Sequence, residues 1–293
     1  MNKELNKGYL LAISAFVWWG ITPFYFKAIH VVSAGEILAH RIIWSALMLA
    51  IYLGFSKGQL WSRTKAAIKK HGYLLGLAAL LLSGNWLIYI YAVVEDHILE
   101  ASLGYYINPL INVLLGGLFF KEKLSKYQKI AVMLAFIGVL QEIIRFQQIP
   151  LISISLALSF GFYGLIRKKA DISGSEGLFI ETLLLLPLAL AYLFNLWTKQ
   201  QLIFAHQTLT LDGLLFAAGI ITTLPLIWFI GASKRLKYAT IGLFQYIGPT
   251  IMGILGYVVY NEGFPPGRLI TFALVWSGLA LTLFENFSKK TRA

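Results

Sequence analysis

Residues 100–122, EASLGYYINPLINVLLGGLFFKE, form an apolar run of membrane-spanning length interrupted near its first third by Asn108-Pro109. Proline has no N–H to donate, and its ring clashes with the carbonyl four residues back, here that of Tyr105. In lipid a freed carbonyl must find a neighbouring helix, a side chain or water, so Pro109 predicts a helix break in a cavity wall. On a helix Tyr105, Asn108, Asn112 and Gly116 share one face, and Asn108 is a candidate partner for the freed carbonyl. The chain then repeats the element as residues 239–262, ATIGLFQYIGPTIMGILGYVVYNE, with a second break expected at Pro249. Pro109/Pro249, Gly116/Gly256, Glu122/Glu262 and Gly138/Gly278 are each 140 residues apart. Ala101-Ser102-Leu103-Gly104 matches Ala239-Thr240-Ile241-Gly242 with a slip of two, which leaves Gln245-Tyr246 as a local insertion. Phe16/Phe160, Trp19/Tyr163, Gly20/Gly164 and Asn85/Pro225 are fainter echoes. The spaced set reads as an internal duplication.

Composition sets the class of both copies. The 293 residues are 58% hydrophobic and only 13% charged, with a mean hydropathy of +0.72, which a soluble domain does not carry. Apolar runs of span length predict ten transmembrane helices, at 8–29, 33–55, 73–94, 100–120, 126–144, 150–166, 177–197, 212–233, 239–260 and 267–286. The sixth run is short and can extend towards Ala170. Ser125-Lys126-Tyr127-Gln128 has the pattern of a capping box that opens the fifth. The expected architecture is one all-α polytopic transmembrane domain, 1–293, with five helices in 8–144 and five in 150–286. An odd number of spans per copy makes the second copy enter from the other side, the inverted-topology plan of many secondary transporters.

Charge orients this stack. Lys3, Lys7, Lys57, Arg63, Lys65, Lys69, Lys70, Lys121, Lys123, Lys126, Lys129, Arg167, Lys168, Lys169, Lys234, Arg235, Lys237, Lys289, Lys290 and Arg292 fall on one side of the ten-span scheme. Arg145, Lys199 and Arg268 fall on the other, and Lys27 and Arg41 lie within or beside spans. By the positive-inside rule both termini are then cytoplasmic. The net charge of +12 is accounted for by these short loops, so a nucleic-acid partner is not expected. The expected partners are the lipid bilayer and a small-molecule substrate. Gly72 and Gly76 have the small-xxx-small spacing that permits close helix packing, either inside the subunit or in a homodimer.

Ionisable and amide side chains inside spans are candidates for function, because a charge at a span centre costs about 3 kcal/mol. Arg41 sits roughly 12 Å along the second span at 1.5 Å per residue. It reads either as a structural anchor or as the binder of an anionic or carbonyl-bearing substrate or a gate partner. His40 and Glu181 are candidates for ion or proton coupling, with Glu181 also a substrate candidate or an interfacial acid. Asn85, Asn108 and Asn112 read equally as interhelical glue or substrate contacts, and Gln245 joins them. Trp19, Trp86, Tyr89, Tyr105, Tyr163 and Tyr246 stand beside glycine, proline or asparagine landmarks and are candidate pocket walls. Glu36 is placed at an interface, and Glu122 and Glu262 at helix ends, bonding loop amides or a neighbouring helix N-terminus.

Catalytic signatures are missing: no H-E-x-x-H, no G-x-S-x-G, no Walker A and no cysteine. No enzyme activity, cofactor or metal is expected, and transport would draw on an ion gradient or on the gradient of the substrate itself.

The segments EILAHRIIWS (36–45), GNWLIYIYAV (84–93), EASLGYYINPL (100–110), FYGLIRKK (162–169) and FQYIGPT (244–250) resemble the RarD-type permeases of the EamA family, in the drug/metabolite transporter superfamily. The resemblance implies ten helices in two inverted five-helix repeats, in the bacterial cytoplasmic membrane. It also implies a central cavity lined by helices one to four and six to nine, with five and ten behind as support. Many members of that family have Gly-Glu at the ends of helices four and nine, where this chain has Lys121-Glu122 and Asn261-Glu262. RarD-type proteins are commonly described as chloramphenicol-resistance permeases, a label that names a drug and no physiological substrate. The expected function is a secondary permease for a small metabolite or drug-like solute, working by alternating access. The other class in play is a non-transporting assembly or lipid-handling protein, which would turn its asparagines towards lipid.

Overall fold

Backbone amides in lipid have no water to bond, so apolar segments of this length close their hydrogen bonds internally as helices. The computed structural model describes residues 3–57, 60–121, 124–147, 149–170, 172, 174–233, 235–236, 244–263 and 266–291. Glu122 and the 239–242 motif lie outside them. The described helices are α1 (Lys3–Ala28), α2 (Ala34–Lys57), α3 (Leu60–Val94), α4 (Ile98–Phe120) and α5 (Lys126–Phe146) in the first half. The second half has α6 (Leu151–Ala170), α7 (Gly174–Thr198), α8 (Leu209–Ser233), α9 (Ile247–Ile254, continued by a π-helical turn Leu255–Val259) and α10 (Pro266–Thr291). No strand occurs among the described residues. Helices α1 to α8 are long and apolar enough to cross a membrane, and Ile247–Val259 is a shorter apolar helix. Large apolar side chains such as Leu118, Phe136, Leu188 and Phe194 are exposed on the outside of the bundle, where lipid replaces water. The protein is an all-helical, multi-pass membrane protein.

Some local expectations change. The basic stretch before the third span is helical from Leu60, with a break in the backbone at His71 (φ −131°, ψ 15°). The sixth helix does extend to Ala170, so Arg167, Lys168 and Lys169 belong to the last turn of α6. Pro109 does not break α4, which runs helical from Ile98 to Phe120. Asn108 does not serve the Tyr105 carbonyl: its Nδ2 donates to Ala157 O on α6 (3.1 Å). Pro249 sits in the first turn of described α9, where a missing N–H breaks no intrahelical bond. The capping box forms as expected, Gln128 N donating to Ser125 Oγ (3.1 Å) and Ser125 N to Gln128 Oε1 (2.9 Å).

Helices pack in pairs that recur when the helix number is shifted by five. The related pairs are α1–α8 with α3–α6, α1–α9 with α4–α6, α2–α8 with α3–α7, and α2–α3 with α7–α8. The pairs α2–α7, α4–α9 and α5–α10 map onto themselves. The spaced glycines explain the last of these. A Cβ at Gly138 would lie 3.3 Å from Thr271 Cα, and one at Gly278 would lie 3.0 Å from Ala131 O. Each glycine thus lets the backbone of the other helix approach. Gly72 and Gly76 have no such neighbour: a Cβ at Gly72 would meet only Ile68 on its own helix, and one at Gly76 nothing within 4 Å.

Two carboxylates tie distant segments at the end of the bundle opposite the N-terminus. Glu36, 1% exposed, accepts from the amides of Ile203 (2.9 Å) and Phe204 (3.0 Å) in the connection between α7 and α8. Its side chain is buried within the protein at that end of the bundle. Glu262 accepts from the amides of Ile98 (2.6 Å) and Leu99 (2.7 Å), first-turn donors of α4 that have no intrahelical acceptor. Burial pushes the Glu262 carboxyl above the usual carboxylate range, against the pull of these two bonds. At the same end Lys27 Nζ donates to Asp96 Oδ1 (2.6 Å) and Val94 O (3.1 Å).

Candidate functional site

The helices that carry the polar residues converge on a cavity of about 460 Å³. Its walls come from α1–α4, α6–α8 and α9 with the residues just before it; α5 and α10 contribute nothing, being packed on each other behind. Trp19, Arg41, Asn85, Trp86, Tyr89, Tyr105, Asn112, Tyr163, Gln245 and Pro249 of the expected residues line it.

Arg41 is the one charged side chain among the lining residues. Its guanidinium lies 4.0 Å from the centroid of the Trp86 ring and 5.9 Å from that of Phe26. Arg41 Nε donates to Thr222 Oγ1 on α8 (2.8 Å), while the Thr222 hydroxyl donates to Ala218 O (2.9 Å). Nη1 is buried without a hydrogen-bond partner among the described residues. Beyond the guanidinium, Tyr89 stacks edge-on to Phe26 and Tyr105, with centroids 5.6 and 5.8 Å apart. The Tyr89 and Thr22 hydroxyls are 2.7 Å apart. These groups floor the cavity, and an apolar cluster including Ile29, Val32, Ile90, Val93 and Leu215 seals the bundle beyond them. At the other end the lining reaches Gly174 at the start of α7 and Phe229 near the end of α8.

The amide side chains divide between wall and glue. Asn85 Nδ2 donates to Leu156 O (3.0 Å) and Ser159 Oγ (2.9 Å), which fixes α3 to α6. Asn112 Nδ2 donates to Asn108 Oδ1 (3.0 Å), so the stripe on α4 is one connected network that also holds α6. Asn108 is buried behind the wall and does not line the cavity.

Four other expected residues lie off the cavity. Glu181 is fully buried, accepts from Tyr163 Oη (3.1 Å) and pairs with Arg167 Nε (3.4 Å). Gly177 makes room for that guanidinium, since a Cβ there would meet Arg167 Nη1 at 1.7 Å. Tyr246 stacks on Tyr106 (6.3 Å) and belongs to the α4–α9–α10 packing. His40 lies against Phe204 (4.6 Å) and accepts from Trp44 Nε1 at Nδ1 (3.2 Å), with its buried Nε2 lacking a partner among the described residues. Pro109 stays inside α4.

Sequence reasoning missed Phe16, Thr22, Phe26, Phe160, Thr222, Phe229 and Met252, which complete the wall. Phe16 and Phe160 had a signal as a repeat pair. Thr222 had one as a hydroxyl in the middle of an apolar span. No group of three or more metal-ligating side chains occurs among the described residues.

Known proteins with this chain pattern carry transporter names. Residues 6–141 match the EamA-like transporter family. The chain is 49% identical over 282 residues to an uncharacterized transporter of Vibrio cholerae, spanning 96% of this chain and 93% of that protein. It is 45% identical over 285 residues to Protein RarD of Salmonella typhi, with 97% and 96% covered. To Protein RarD of Escherichia coli it is 42% identical over 290 residues, with 99% and 98% covered. A crystal structure of a protein 19% identical to it superposes with a TM-score of 0.59 over 94% of this chain and 96% of that one, a likeness of fold. With near full-length relatives of this kind and a cavity inside a multi-pass bundle, the chain belongs to the EamA-like transporter family, among its RarD-type permeases.

Proposed function

We propose that this membrane transporter is a secondary permease that moves a small metabolite or drug-like solute across the bacterial cytoplasmic membrane by alternating access. The observation that carries the reading is the cavity of about 460 Å³ walled by helices from both halves, a size suited to a small ligand. In this reading the ten helices form two inverted five-helix repeats around a midplane site. The packing scheme that recurs on a shift of five, and the reciprocal Gly138 and Gly278 contacts, support it. The clustering of basic residues at the end where α1 begins supports an orientation with both termini in the cytoplasm. The cavity reaches that end and is sealed at the opposite one, so the conformation is inward-facing in this orientation. No observation favours a lipid-handling scaffold, because Asn85 and Asn108 are buried and Asn112 faces the cavity.

Flux into liposomes containing the purified protein tests this, using amino acids, nucleobases, sugars, organic acids and amphipathic drugs. Saturable uptake or counterflow of at least one of these is expected. Folded protein that moves none of them overturns the transport reading.

A further inference from the structure

A cationic side chain at this depth is costly unless something compensates it. Every described carboxylate that could serve Arg41 is committed elsewhere. Glu36 holds the Ile203 and Phe204 amides, Glu262 those of Ile98 and Leu99, and Asp212 that of Ala205. Glu181 pairs with Arg167, and Glu100 with Arg268 and His97. Arg41 itself has only a hydroxyl acceptor on Nε and two ring faces, and Nη1 is buried without a partner. The guanidinium is therefore held in place by Thr222, Trp86 and Phe26 and left without its counter-ion.

We infer that the cavity takes a monocarboxylate with an aromatic or other apolar body, its carboxylate held by Arg41. The inference rests on the transport reading and names its substrate class. The charge count selects a monoanion: with one cation and no acid among the described residues of the wall, a monocarboxylate leaves the loaded site neutral, whereas a phosphate dianion would leave it negative. A zwitterion is disfavoured, since no lining carboxylate meets an ammonium group. The planar guanidinium presents parallel N–H groups that match a carboxylate. The remainder of the wall matches an apolar body, with Trp19, Phe160 and Phe229 giving ring faces. The hydroxyl of Tyr105, which lines the cavity, gives a further donor.

Thermal unfolding of the purified full chain in low-chloride buffer tests this with phenylacetate and phenylacetamide, which match in shape and differ in charge. A ligand that binds only the folded state raises the melting temperature by mass action. Phenylacetate is expected to raise it by a few degrees and the amide by a small fraction of that; R41Q abolishes the shift and R41K keeps part of it. Equal shifts for acid and amide, or an acid shift that survives R41Q, overturn the inference and leave the transport reading standing. Inorganic phosphate that stabilises as well as phenylacetate overturns the apolar-body part. Silence from phenylacetate, benzoate, 3-phenylpropionate and 4-methylvalerate up to tens of millimolar overturns the whole. Where R41Q melts early without ligand, the acid–amide comparison on the unsubstituted protein still decides. Charge-selective binding together with a failure of every flux assay would instead overturn the transport reading and keep the site.

Discussion

Lys121 and Asn261 close α4 and the α9 region in the left-handed conformation, with φ of 54° and 52°. These are the positions where related transporters often have glycine, and the structure shows the reason: the turn requires a positive φ that glycine adopts without strain. A left-handed lysine costs about 1 kcal/mol, and asparagine tolerates the conformation better. K121G is therefore expected to raise the thermal midpoint, by up to about 1 kcal/mol of stability, and N261G to change it by less. Thermal melts in one detergent check the order of the two. Ser125 is a second case legible in advance: S125A removes the acceptor for the Gln128 amide and is expected to cost about 1 kcal/mol in the same measurement.

At the scale of elements, proline and glycine play different parts from those their pattern first suggests. Pro109 reads as a break, yet α4 carries it in a continuous helix because α6, α9 and α5 all pack along it. The polar stripe beside it is spent largely on holding α6 through Asn108, with Asn112 as the wall residue. The glycines are the more faithful signal, because the distance at which two helices cross depends directly on the missing Cβ. G278L places a side chain against the Ala131 backbone and is expected to destabilise by about 1–3 kcal/mol through overpacking. G76L, whose Cβ would meet nothing within 4 Å, serves as the control and leaves the melt of the monomer unchanged. Equal losses for both substitutions would mean that helix propensity, and not the α5–α10 crossing, sets the effect.

Across the whole molecule, the end remote from the N-terminus is shut by an apolar cluster and by carboxylates that reach from one half to the other. Under the proposed alternating access that end would have to open, and those ties would set the balance between the two forms. E262A leaves the amides of Ile98 and Leu99 without their acceptor, each worth about 1–3 kcal/mol when buried and unsatisfied. A loss of 1.4 kcal/mol from the closed form raises the open population about tenfold. The chain has no cysteine, so a single Val32→Cys reports on this seal without background. Its labelling by an impermeant maleimide from that side is expected to rise about tenfold in E262A. Unchanged labelling would show that Glu262 supports α4 without holding the seal.

Much of this architecture was legible in the chain alone, because the bilayer leaves so few choices. An apolar run of span length must be a helix, so the all-helical class and the extents of most helices among α1 to α8 follow from hydropathy within a few residues, whereas α3 continues back through a basic stretch to Leu60 that hydropathy leaves out. The 140-residue spacing of the glycines is also written in the chain. Which face of each helix meets which neighbour is not, because hydropathy in lipid is satisfied by any rotation of the helix about its axis. Only the packed bundle sends Glu181 to Arg167, Tyr246 to Tyr106 and Glu36 to the α7–α8 connection, and leaves Arg41 on the cavity without an acid. Partners more than a hundred residues away, such as Thr222 for Arg41, are set by the crossing of helices and by the depth at which each side chain lies.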